Sequence, residues 1–131
     1  MQFTDICLVS DDVLRLVDFY EKLFDVQAIE KSALHSGLNV GGLNLTIDGT
    51  PLSEDNPAFN YISGESSNNT IIGFNVGNVD AEYRRVKAFG VKTLNEPTTH
   101  PWGARSFQFR DLDGNIINFR SFPKGAGYER T

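Results

Sequence analysis

The sequence predicts an α+β fold made of two successive units with the same order: strand, helix, then three strands. Three observations carry this. Two stretches have apolar residues at three- and four-residue steps, and each follows a short strand-like run. Each helical stretch is followed by three runs of alternating or β-rich residues bounded by Gly, Pro, Asn and Asp. A polar segment, Thr50 to Asn69, separates the two sets.

Taken in order, Phe3 to Val9 reads as the first strand. Asp11-Asp12 then opens a helix, because carboxylates satisfy its free N–H groups and match its dipole. Val13, Leu16, Val17, Tyr20, Leu23 and Phe24 form the apolar stripe of that helix. Val26 to Lys31, Leu34 to Val40 and Leu43 to Asp48 read as three strands, with Gly41-Gly42 turning the last pair. Thr50 to Asn69 is a linker by composition, rich in Pro, Ser, Glu, Asp, Asn and Gly, with Phe59, Tyr61 and Ile62 scattered through it.

Thr70 to Val76 repeats the opening strand, and Asp80 is the expected cap of a second helix. Tyr83, Val86 and Phe89 make its stripe, and Gly90 stops it. Val91 to Leu94 reads as a short strand, and Pro101 to Phe122 as the closing hairpin. The chain is thus expected to be one domain over residues 1–131, with module one about 3–48, a linker over 50–69 and module two about 70–122. The tail from Pro123 onward is polar.

The hairpin fixes a register. Asp111-Leu112-Asp113-Gly114-Asn115 supplies turn-forming side chains and a Gly suited to positive φ. With Arg110 opposite Ile116, Gln108 faces Asn118 and Ser106 faces Arg120, giving a polar row. Phe107, Phe109, Ile117 and Phe119 give an oily one. The same split runs through the other strands: Asp5 and Cys7 against Ile6 and Leu8, Asn44, Thr46 and Asp48 against Leu45 and Ile47, Gly73 and Asn75 against Ile72 and Phe74. Cys7 on the polar row has no evident base nearby and reads as a buried structural thiol.

Bulk properties exclude several classes. With 131 residues the chain supports one ordinary core. A formal net charge of -5 and no basic stripe argue against nucleic-acid binding. The single Cys7 makes no internal disulfide, which fits a reducing compartment. MQFTDICLVSDD has no basic n-region, so no signal peptide is expected, and no run approaches a membrane span. A cytoplasmic location is expected. No nucleophile elbow, paired Cys–His spacing or phosphate loop is present.

Pro101-Trp102-Gly103-x-Arg105-x-Phe107-x-Phe109, then Asp111-x-Asp113-Gly114-Asn115-x-Ile117-x-Phe119, resembles the closing hairpin of the glyoxalase/bleomycin-resistance/dioxygenase (vicinal oxygen chelate) superfamily. The opening, with Asp18-Phe19-Tyr20-Glu21-Lys22-Leu23-Phe24 in the first helix, is similar too, and the likeness runs from Phe3 to about Phe122. Leu112 stands where the commonest family version has Pro. The resemblance implies two βαβββ modules forming a curved, cup-like mixed sheet with helices on the outer face, and assembly as a homodimer.

Metal-using members place His or Gln, Glu, His and Glu on four strands facing the cup. The matched positions here are Asp5, Thr46, Ile71 and Asn118. Only Asp5 is a good ligand, Thr and Asn are weak and Ile binds nothing, so neither a metal nor another cofactor is expected. His35 and His100, the only histidines, lie outside these positions. The reading is a small-molecule-binding protein of the antibiotic-sequestering type. Asp5, Asn75, Gln108, Asn118 and Arg120 would orient the ligand, Trp102 would stack on it, and Phe59 and Tyr61 would serve as a lid. A metal-dependent lyase, isomerase or dioxygenase with a displaced site is the alternative. A non-catalytic protein-binding module is the third.

Overall fold

The computed structural model describes residues 1–50 and 68–122. The chain divides into two compact units, Met1–Ser66 and Ser67–Thr131. The first contains β1 (Ile6–Ser10), α1 (Val13–Phe24), β2 (Glu30–Lys31), β3 (His35–Val40) and β4 (Leu43–Gly49). The second contains β5 (Ile71–Asn75), α2 (Val79–Ala88), β6 (Thr98–Thr99), β7 (Arg105–Arg110) and β8 (Ile116–Ser121). Each unit is a mixed, open four-stranded sheet. The orders are β1-β4-β3-β2 and β5-β8-β7-β6, so the second unit repeats the first strand for strand.

In the first unit, β1 runs parallel to β4, and β4 turns back onto β3 across Gly41-Gly42. Both glycines take positive φ, 56° and 88°, as a two-residue hairpin loop requires between Val40 and Leu43. Helix α1 starts on Asp12, whose side chain accepts from the Arg15 N–H, and buries Val13, Leu16, Val17, Tyr20 and Leu23. That stripe packs on the sheet face carrying the buried Leu38, Leu45 and Ile47. Lys31 adds an outer clamp, reaching Asp18 at 2.6 Å and Glu21 at 2.7 Å.

In the second unit, Phe107, Phe109 and Phe119 are fully buried and meet largely edge-on, with centroids 5.0 Å apart for Phe109 and Phe119. Tyr83 of α2 meets Phe107 edge-on at 5.2 Å. The Asp111 carboxylate accepts from the Asp113 and Asn115 N–H groups and from the Asn115 amide, closing the β7–β8 turn, where Gly114 takes φ 92°. The β7–β8 register is the one read from the sequence: Arg110 against Ile116, Gln108 against Asn118, Ser106 against Arg120.

Several expectations are corrected. The first strand begins at Ile6 rather than Phe3, because before Ile6 the Asn44 side chain bonds the Thr4 carbonyl in place of a ladder bond. Residues 26–29 lie outside a strand: the Val26 and Ala28 N–H groups go to the Glu21 carbonyl and carboxylate at the end of α1. Asn78, not Asp80, caps the second helix, accepting from the Ala81 N–H at 3.0 Å. Asp80 instead accepts from Nη2 and Nε along one edge of the Arg105 guanidinium, at 2.8 and 2.9 Å. Phe89 sits past the helix and is half exposed. Val91 to Leu94 contributes one bridge, Thr93 to Phe109, and the paired strand is Thr98–Thr99. There the Asn95 side chain takes the Gln108 N–H that a continuing strand would have bonded. Cys7 is exposed, against the expected buried thiol.

Candidate functional site

The polar face of the first unit holds a cavity of about 320 Å³. Thr4, Asp5, Ile29, Glu30, His35, Gly37, Asn44 and Thr46 are among its lining residues. The strand register explains the convergence. Thr46 sits between Cys7 on β1 and Gly37 on β3, and His35 lies opposite Asp48. Glu30 is opposite Gly37, which has no side chain to close the space between them.

Asp5 stands just ahead of β1 and anchors the wall. Its two oxygens accept from the Thr4 hydroxyl at 2.7 Å and the Thr46 hydroxyl at 3.0 Å. Those bonds, Thr4 first, hold its carboxyl below the usual aspartate range. His35 has a carboxylate at each ring nitrogen, with Asp48 at Nδ1 and Glu30 at 3.4 Å from Nε2. The sulfur of Cys7 loses part of its water contact although the residue as a whole is exposed. That desolvation, with the Asp48 and Asp5 carboxylates nearby, pushes its thiol above the ordinary range, against a lowering bond with Thr46.

The second unit carries a hydrogen-bonded row. Gln108 donates to Asn118 at 2.6 Å and to Ser106 at 3.3 Å, and accepts from the Asn95 amide. Ser106 also meets His100 Nε2 at 2.8 Å, and His100 stacks on Trp102 with ring centroids 4.6 Å apart. Trp102 is 63% exposed, so its ring lies open on the surface. Arg120 donates to Asn75 at 3.2 Å.

The structure therefore joins Gln108 and Asn118, and joins Arg120 and Asn75. Asp5 belongs to the first unit's cavity. Phe59 and Tyr61 lie outside the described residues. Sequence reasoning placed Asn44 on the polar row without naming it a site residue, and missed Glu30, His35 and Gly37 in the cavity wall. Pairing across the two-residue Gly41-Gly42 turn, with Leu43 opposite Val40, would have placed Gly37 opposite Thr46 and His35 opposite Asp48 on that face.

Two βαβββ units of identical strand order, each with a helix on its oily face and polar side chains on the other, define the paired βαβββ class. A family model described as the Glyoxalase/Bleomycin resistance protein/Dioxygenase superfamily matches residues 2–119. The chain belongs to that superfamily.

Solved structures agree in fold. A glyoxalase/bleomycin resistance protein/dioxygenase from Nocardioides is 21% identical with a TM-score of 0.81, over 100% of this chain and 89% of that one. A glyoxalase-related enzyme from Fulvimarina pelagi is 20% identical with a TM-score of 0.79, over 99% and 97%. A glyoxalase/bleomycin resistance protein/dioxygenase family enzyme from Burkholderia phytofirmans is 19% identical with a TM-score of 0.79, over 91% and 99%. No curated protein matches the sequence.

The metal set of this superfamily does not fit the residues present. Asp5 and Thr46 are bonded to each other, the Asn118 amide oxygen is taken by Gln108, and Ile71 is a hydrocarbon. Among the described residues no group of three His, Cys, Asp or Glu side chains is arranged to hold a metal ion. Among those residues, too, no helix is long and apolar enough to cross a membrane.

Proposed function

We propose that this protein binds a small molecule on the polar faces of its sheets without the superfamily's metal, as a sequestering member does. The observation that carries the reading is the lined cavity beside Asp5, at a position where metal-using members hold a ligand. Its volume of about 320 Å³ is at the lower end for small-molecule sites. Asp5 supplies an ionised acceptor there. Asn75, Gln108, Asn118 and Arg120 supply orienting groups on the second unit, and the open face of Trp102 offers a stacking surface. Phe59 and Tyr61 complete the proposal as covering aromatics. The protein acts in the cytoplasm as a homodimer.

Gly37→Val provides the test. A Cβ added at Gly37 meets nothing within 4 Å, so the substitution adds bulk to the cavity without a backbone clash. In a fragment screen read by amide NMR shifts, wild type should show hits at Gly37, Leu38, Leu45 and Thr46. The folded Gly37→Val variant should lose them. Hits that survive the substitution, or none in the wild type, would contradict the reading.

A further inference from the structure

We infer that the cavity of the first unit selects a small cation bearing several N–H donors, a primary ammonium or an amidinium, on a compact apolar body. This rests on the proposal that the cavity binds a small molecule, and names the class.

Donors and acceptors around the wall are unequally committed. The Thr4 and Thr46 hydroxyls both point at Asp5. An Asn44 amide hydrogen goes to the Thr4 carbonyl at 3.0 Å, and the Asn44 oxygen accepts from Asn39 at 3.0 Å. The two ring nitrogens of His35 face the Asp48 and Glu30 carboxylates. These donors are thus directed at oxygens of the same unit, and one Asn44 amide hydrogen remains.

Acceptor capacity is what remains for a ligand. Each ionised carboxylate offers about four lone-pair sites, and Asp5 and Glu30 use only some of theirs within the wall. Among the described residues no Lys or Arg lines the cavity. The nearby Lys31 is held by Asp18 and Glu21 of α1. Asp5, Glu30 and Asp48 outnumber His35 whether or not it is protonated, so the field in the cavity is negative. An anionic ligand would meet that field with one Asn44 amide hydrogen as the uncommitted side-chain donor among the described lining residues. A cation with two or more N–H groups satisfies several acceptors at once. Ile29, exposed at the cavity, supplies apolar contact for the ligand's body.

The test compares benzamidine, benzamide and benzoate, three probes of one shape and three charges, by amide NMR titration of the intact chain. Benzamidine should shift Gly37, Leu38, Leu45 and Thr46 and bind at least about tenfold more tightly than benzoate, the scale of one bond to a charged group. Asp5→Asn, which keeps an acceptor oxygen for one threonine hydroxyl and turns an amide N–H toward the other, should weaken benzamidine about tenfold and leave benzamide unchanged. Glu30→Gln serves as a second variant if Asp5→Asn does not fold. Benzoate or benzamide binding as well as benzamidine would overturn the cation assignment while leaving a binding cavity. Failure of all three probes would overturn the assignment as well. The wider fragment screen, with neutral and anionic members, then tells whether the cavity reading falls with it.

Discussion

The Thr46 hydroxyl donates to Oδ2 of Asp5 at 3.0 Å, tying the middle of β4 to the residue that leads into β1. With the Thr4 bond it keeps the Asp5 carboxyl below its ordinary range. A carboxylate lowered in the folded state stabilises it above the ordinary aspartate range, near pH 4, and that contribution is lost as pH falls through the lowered value. In Thr46→Val the Asp5 midpoint should therefore rise, and stability should fall less steeply below about pH 4. Carboxyl-carbon NMR titration and acid unfolding measure the two effects.

Cys7 is exposed yet held in a reluctant state by desolvation and by the Asp48 and Asp5 carboxylates. Its alkylation by iodoacetamide should follow a pH midpoint above that of an ordinary thiol, near 8.5. Asp48→Asn removes one of the charges and should bring the midpoint down. A rate profile like that of a free thiol, unmoved by Asp48→Asn, would contradict the arrangement.

The ring cluster of the second unit sets its stability. Phe119 is 1% exposed and touches Phe74, Phe107 and Phe109. Phe119→Ala should cost about 3–5 kcal/mol in urea unfolding, from lost burial and the cavity left behind. Phe89→Ala, at a half-exposed position past α2, should cost far less.

Asn78 caps α2 through the Ala81 N–H. Asn78→Ala should lower stability by about 1 kcal/mol, and Asn78→Gly by only a few tenths, since glycine is itself tolerated at that position. Both variants lack the side-chain acceptor, so unchanged stability in both would contradict a stabilising cap at Asn78.

These contrasts also mark what the sequence reveals. The closing hairpin is legible to single-residue register, because Asp111-x-Asp113-Gly114-Asn115 fixes the turn and period two does the rest. The helix stripes are legible because α1 repeats its apolar spacing over three turns. The cap of α2 is ambiguous by composition, since Asn78 and Asp80 both suit a helix start. Arg105, 25 residues away, decides between them by engaging Asp80. The cavity wall is less legible because it draws on three strands and the segments beside them. His35 and Glu30 match no motif, and only the register of β3 against β4 and β2 brings them toward Asp5. The expected strand at Val91 to Leu94 fails because a side chain, Asn95, supplies the bond that propensity assigns to backbone.

Elemental analysis of protein purified with no added metal separates small-molecule binding without the superfamily's metal from metal-dependent chemistry. A thermal titration with Zn, Mn, Ni and Fe should follow. Substoichiometric metal and no thermal shift are expected. One tightly held metal per chain, lost in Asp5→Ala, would contradict metal-free binding and point to a lyase, isomerase or dioxygenase with a displaced site.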